Sequence, residues 1–310
     1  MIRRLIALAF LAACSSAPQA EAPRTFRVFL LAGQSNMEGH GVVDLDDERD
    51  YNGGRGTLAR FLEPAVQRAQ WDELRNPDGS WFVRDDVAVS YLTANGTRKV
   101  GPLTVGFGVH EGAHHIGPEL GIGRVLGRRF EEPVLLVKTA WGGKSLAVDF
   151  RPPSAEGDTG PFYTRMLEEL RAALASAAVD HPQLSGLTPR LDGVIWFQGW
   201  NDGCDERMAA EYEENLVLLA NDLRAEFGDP ALPFVAGETG NMDNTVLREG
   251  QRKGCERLEF ARFVPTREFL RPAQESPNTT HGHHWFGNGE SYLRIGDALG
   301  RAMAELTGSR

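Results

Sequence analysis

The sequence predicts an α/β protein, a three-layer α/β/α sandwich around a central parallel sheet. Two observations carry this. Short apolar runs of strand type alternate with amphipathic stretches of helical period, and those stretches are long enough to serve as crossovers between parallel strands. The runs are also apolar almost throughout, as strands covered on both faces are. Composition agrees: 310 residues with 41% hydrophobic and 25% charged suit a soluble globular core and argue against wholesale disorder.

The strands come in order at residues 26–32 (FRVFLLA), 133–139 (PVLLVKT), 193–197 (GVIWF), 233–236 (PFVA) and 261–265. Helical patterns lie at 119–130, 162–178, 209–227, 246–258 and 290–306. In the third of these, Tyr212, Leu216, Leu219 and Leu223 recur at the spacing of one helix face. Residues 40–115 break the rhythm, being rich in Asp, Arg, Gly and aromatic residues. They read as an inserted decoration, a lid or cleft wall, with extra strands at about 86–92 and 100–109.

The first residues carry an address. Arg3 and Arg4 precede an apolar stretch over 5–13, too short to span a bilayer. It ends in Leu11-Ala12-Ala13-Cys14, which resembles the lipobox of bacterial lipoproteins. The resemblance implies that residues 1–13 are removed, that Cys14 is lipidated, and that the exported protein is anchored to a bacterial membrane. Ser15 favours the outer membrane, and residues 14–25 become a tether. A secretory cleavage near Ala17 or Ala20 is the alternative. In an oxidising compartment the two remaining cysteines, Cys204 and Cys255, invite a disulfide. The net charge is −10 and there is no long Lys/Arg run, which argues against an electrostatic grip on nucleic-acid phosphates. With one short apolar stretch, a polytopic membrane protein is excluded too.

Parallel sheets bind ligands at the carboxyl ends of their strands, so chemistry is expected just after each apolar run. After the first comes Gly33-Gln34-Ser35-Asn36-Met37, a serine in a tight turn where a nucleophile is wanted. It is not the Gly-x-Ser-x-Gly elbow, since Met37 takes the last place. After the next comes Trp141-Gly142-Gly143, whose backbone N–H can approach a ligand. After the third comes Gln198-Gly199-Trp200-Asn201-Asp202, where the Asn201 amide can donate to an oxyanion. His281, His283 and His284 precede the last helix and supply a general base. A capping serine or a plain glycine turn would explain any one of these alone.

Taken together and in this order, the blocks resemble the SGNH hydrolases over roughly residues 26–306, with Ser35 in GQSNM, Gly143 in AWGGKS, Asn201 in GWND and His284 in GHHWFGNGESY. The GQSNM form, GPELGIGR at 117–124 and the QGxxD signature look like the branch of acetylxylan and sialate O-acetylesterases. The resemblance implies a flavodoxin-like SGNH fold and a serine esterase that removes acyl groups, O-acetyl above all, from carbohydrate without a cofactor. It assigns Ser35 as nucleophile, His284 as base, and the Ser35 N–H, the Gly143 N–H and the Asn201 side chain as the oxyanion hole. Gln34, Gln198, Trp141, Trp200 and Trp285 become candidates for substrate contact. One position departs: where the family carries Asp, three residues before the catalytic His, stands His281. Glu238, Glu275 or a backbone carbonyl are the substitutes left open.

Two rival readings remain. His110-Glu111-x-x-His114 matches the zinc-peptidase pattern, although Gly112 and the following Gly117-Pro118 suit its required helix badly. A lining role in the cleft is the other reading of His114 and His115. The missing Asp would also fit a lipid-anchored glycan-binding module on an inactive hydrolase fold.

Overall fold

The computed structural model describes residues 24–239 and 243–308. The signal segment, Cys14 and all but the end of the tether lie outside them. In chain order the elements are β1 (Thr25–Gly33), α1 (Ser35–Glu38), β2 (Gly41–Val42), α2 (Leu58–Phe61), α3 (Ala65–Gln70), β3 (Arg84–Leu92), β4 (Arg98–Leu103) and β5 (His115–Ile116). Then come α4 (Glu119–Arg129), β6 (Val134–Ala140), α5 (Pro161–Asp180), β7 (Thr188–Phe197), α6 (Trp200–Gly203) and α7 (Glu206–Phe227). The chain closes with β8 (Phe234–Gly237), α8 (Thr245–Glu256), β9 (Ala261–Val264) and α9 (Gly289–Gly308).

Seven strands form one sheet in the order β4-β3-β6-β1-β7-β8-β9, and β2 pairs with β5 in a separate ribbon. Every neighbouring pair in the sheet is parallel except β3 with the edge strand β4. This is the expected three-layer α/β/α arrangement. Alternation along β1 sorts the two faces: Phe29 and Leu31 pack with α4 and α9, while Phe26, Val28, Leu30 and Ala32 pack with α5, α7 and α8. The stripe read on α7 is real, since Tyr212, Leu216, Leu219 and Leu223 are all fully buried in the second cluster. Each such side chain contributes about 1.5–3 kcal/mol over the exposed state.

The inserted stretch is less of an insertion than its composition suggests. Its strands at 84–92 and 98–103 extend the central sheet, with Val87 and Val89 buried in the core. Residues 104–114 are bends rather than strand. Leu58, Leu62, Trp71 and Leu74 pack onto the same core as α9. Among the described residues, no helix is long and apolar enough to cross a membrane.

Candidate active site

Strand register brings the motif blocks level. Gly33 of β1 pairs with Ala140 of β6 on one side and Phe197 of β7 on the other. The turns that follow, at 34–36, 141–143 and 198–202, therefore leave the sheet together at its carboxyl edge. Gly33 must be glycine: its φ is +153°, and a Cβ would sit 2.3 Å from the Phe197 carbonyl oxygen. Ser35 opens α1 and is 8% exposed.

Asn36 ties this turn to the histidine segment. Its Nδ2 donates to the His283 carbonyl at 3.1 Å, and its Oδ1 accepts from the Tyr292 hydroxyl of α9 at 3.0 Å. His284 lies flat on His40, with ring centroids 3.8 Å apart and planes 7° from parallel. His110 meets the edge of His40, and His115 meets His110. The short β2–β5 ribbon assembles this cluster, because His40 immediately precedes β2 and His115 opens β5. Burial, reinforced by neighbouring imidazoles, lowers His284 to about 3, His40 to about 2 and His115 to about 3. His283 joins the cluster from the other side, its ring tilted against that of His284 at 4.1 Å and 5.7 Å from that of Trp200.

On the opposite side, Asn201 donates its Nδ2 to the Gly143 carbonyl at 2.6 Å. Gly143 has φ +70°, and nothing lies within 4 Å of where a Cβ would be. Its own N–H finds no acceptor among the described residues. The turn next to the serine turn thus carries one backbone donor without a partner among the described residues.

These features can be set against known proteins. The family model for carbohydrate esterases, sialic acid-specific acetylesterase, matches residues 25–305. The chain belongs to this acetylesterase family. It is therefore a carboxylic ester hydrolase. Solved structures share the fold at low identity. A protein from Arabidopsis thaliana is 18% identical with a TM-score of 0.57, covering 92% of this chain and 99% of its own. NanS is 16% identical with a TM-score of 0.54, covering 94% and 100%. A carbohydrate acetylesterase from Xanthomonas citri is 16% identical with a TM-score of 0.53, covering 91% of this chain and 57% of that one. No curated protein sequence matches.

In this acetylesterase several residues suggested by the sequence serve the scaffold. Gln34, 2% exposed, accepts from the Gly199 N–H at 3.0 Å. Gln198 is fully buried, donating to the Lys144 carbonyl at 2.9 Å and Asp202 at 2.6 Å while accepting from Tyr212 at 3.0 Å. The Gln198 amide is fully engaged and the Gln34 amide has its oxygen engaged; both tie the turns to one another. Asp202 accepts from the Leu146 and Ala147 N–H groups, and burial pushes its pKa up to about 6. Trp141 and Trp285 are core residues at 2% and 0% exposure, so neither can stack on a sugar here; of the three tryptophans only Trp200 keeps partial exposure.

The candidate acids are occupied or remote. Glu238 accepts from the Thr266 N–H at 2.8 Å and pairs with Arg248 at 3.1 Å, while Glu275 is exposed. Among the described residues neither meets a histidine. Cys204 and Cys255 are both free thiols, the first exposed and the second buried in the α7–α8 layer. The expected disulfide is not formed. The zinc-peptidase reading also fails on geometry: residues 108–114 are bends instead of a helix. His110 faces His40 while His114 turns to Asp44 at 2.7 Å.

Sequence reasoning missed His40 and the buried charges Glu38, Glu119 and Lys138. Lys138 left a signal, as a lone cation in the apolar run PVLLVKT must find a partner.

Proposed function

We propose that this acetylesterase removes O-acetyl groups from carbohydrate by nucleophilic catalysis at Ser35. His284 takes the Ser35 proton, Oγ attacks the ester carbonyl, and the sugar alkoxide leaves with that proton. Water, deprotonated by the same imidazole, then releases acetate. The oxyanion is met by the Ser35 and Gly143 N–H groups and by the second N–H of the Asn201 amide, whose first is spent on Gly143. The observation that carries this reading is the unbonded Gly143 N–H, held level with the serine turn within a matched acetylesterase family. Partly exposed Trp200 suits a sugar face at the rim.

Acetate release from acetylated xylan, pectin and sialic acid tests it, with and without chelator. The expected result is chelator-insensitive release by the wild type and none by Ser35→Ala. Release by Ser35→Ala would remove the nucleophile. Loss with chelator would bring back a metal, and no release from any acetylated substrate would leave a binding module. Export and lipid attachment at Cys14 belong to the same proposal. Cys14→Ala should move the protein out of the membrane fraction, and an unchanged membrane fraction would refute the anchor.

A further inference from the structure

The mechanism above leaves unused a buried carboxylate on the nucleophile's own helix. Glu38 ends α1, one helical turn after Ser35, and is 3% exposed. Its Oε1 accepts from the Tyr91 hydroxyl of β3 at 3.2 Å. The Gly142 turn lies directly against the same carboxylate. The fit is close: a Cβ on Gly142 would lie 3.1 Å from Glu38 Oε2 and 3.7 Å from the Ser35 Cβ.

The backbone of Glu38 is fixed as firmly as its side chain. Lys138 of β6 donates to the Glu38 carbonyl at 2.9 Å, to the Phe107 carbonyl at 2.6 Å and to Glu119 at 2.7 Å. Those three bonds use every proton of the ammonium. Glu119 in turn accepts from the Gly117 N–H at 2.8 Å, and the Lys138–Glu119 pair is wholly buried. Buried ion pairs are poor sources of stability compared with apolar packing, so retaining one directly beneath α1 calls for another reason.

We propose that Glu38 is a positioning residue for the oxyanion hole, its carboxylate fixing the Gly142–Gly143 turn against the nucleophile turn. The turn is gripped at two points. The Glu38 carboxylate packs against Gly142, and Asn201 holds the Gly143 carbonyl at 2.6 Å. The Gly143 N–H between them has no acceptor among the described residues and can meet a ligand. Because Glu38 and Ser35 share one turn of α1, the same short helix carries the nucleophile and the hold on its oxyanion donor. Burial raises the Glu38 pKa, while Tyr91, Lys138 and the Gly142 N–H pull it back down.

The proposal rests on Ser35 being the nucleophile, and the test separates the two. Steady-state hydrolysis of p-nitrophenyl acetate is compared for wild type, Ser35→Ala, Glu38→Ala, Glu38→Gln and Tyr91→Phe, with thermal unfolding of each. Glu38→Ala should lower kcat by about 10²-fold, the scale of one lost oxyanion donor, with KM within about twofold. Glu38→Gln keeps an acceptor for Gly142 and should recover most of that loss; Tyr91→Phe should cost a few-fold in kcat alone. A wild-type kcat in Glu38→Ala, or a loss shared by KM, overturns the proposal. Should Glu38→Ala fail to fold, the other two decide, and a wild-type kcat in Tyr91→Phe overturns it. With Ser35→Ala inactive, such a result sinks only the role of Glu38; turnover by Ser35→Ala sinks both readings.

Discussion

On the nucleophile side of the cleft the buried side chains are held by paired charge and hydrogen bonds, whereas on the base side the rings of a hydrogen-bonded loop are held by packing on one another. Around Ser35 the buried charged groups are paired: Glu38 with Tyr91, Lys138 with two carbonyls and Glu119, and Asp202 with two N–H groups and Gln198. Around His284 the neighbours are imidazoles, stacked on and edged against one another, and no carboxylate touches them among the described residues. The difference teaches where precision is needed. A donor aimed at a developing oxyanion must be fixed to fractions of an ångström, which hydrogen bonds achieve. An imidazole sandwiched between rings keeps its plane, yet it lacks the negative charge that would favour its protonated form.

The largest effect that would break this comparison is loss of the base. His284→Ala should remove nearly all turnover, as Ser35→Ala does, since the two act as one unit. His283→Ala, which removes a ring packed between His284 and Trp200, should cost much less. Full loss in His283→Ala with little loss in His284→Ala would exchange their roles.

A smaller effect would sharpen it. His281→Asp restores a carboxylate three residues before His284, and should raise kcat several-fold while moving the acid limb of the pH–rate profile upward. A fall in kcat with an unmoved limb would mean that ring packing alone suffices.

The smallest concerns stability. His40, His115 and His284 have folded values of about 2, 3 and 3 against 6.5 for a free imidazole. Below pH 6.5 the unfolded chain therefore binds protons that the folded chain refuses. The contribution of these sites is complete above pH 6.5 and is lost as pH falls towards 3, at no more than about 1.4 kcal/mol per site and pH unit. Urea midpoints between pH 7 and 4 should drop accordingly, and His40→Asn should flatten the slope. An unchanged slope in that variant would show that His40 is not the resisting group.

Much of this protein was legible in the chain. Apolar runs and helical stripes are local patterns, because a strand or helix repeats its environment every few residues. They fixed the α/β class, five strands of the sheet, the five long helices and the four motif blocks. β3 was harder to place: its sequence RDDVAVSYL opens in charge, so an insertion was read where the sheet in fact continues. The tryptophans next to the motifs looked alike in sequence, yet two are core and one is partly exposed.

Only the tertiary structure decided which distant residues would meet. Nothing local pairs His40 with His284, or Glu38 with Gly142 and Tyr91. Those contacts follow from strand order, which sets β1 between β6 and β7 and stands β3 beside β6. The sequence determined what each strand end carries. The register Gly33–Ala140–Phe197 determined that three of those ends are level. Buried charges then had to find partners across the chain, because an unpaired charge in a dry interior costs more than the fold can sustain.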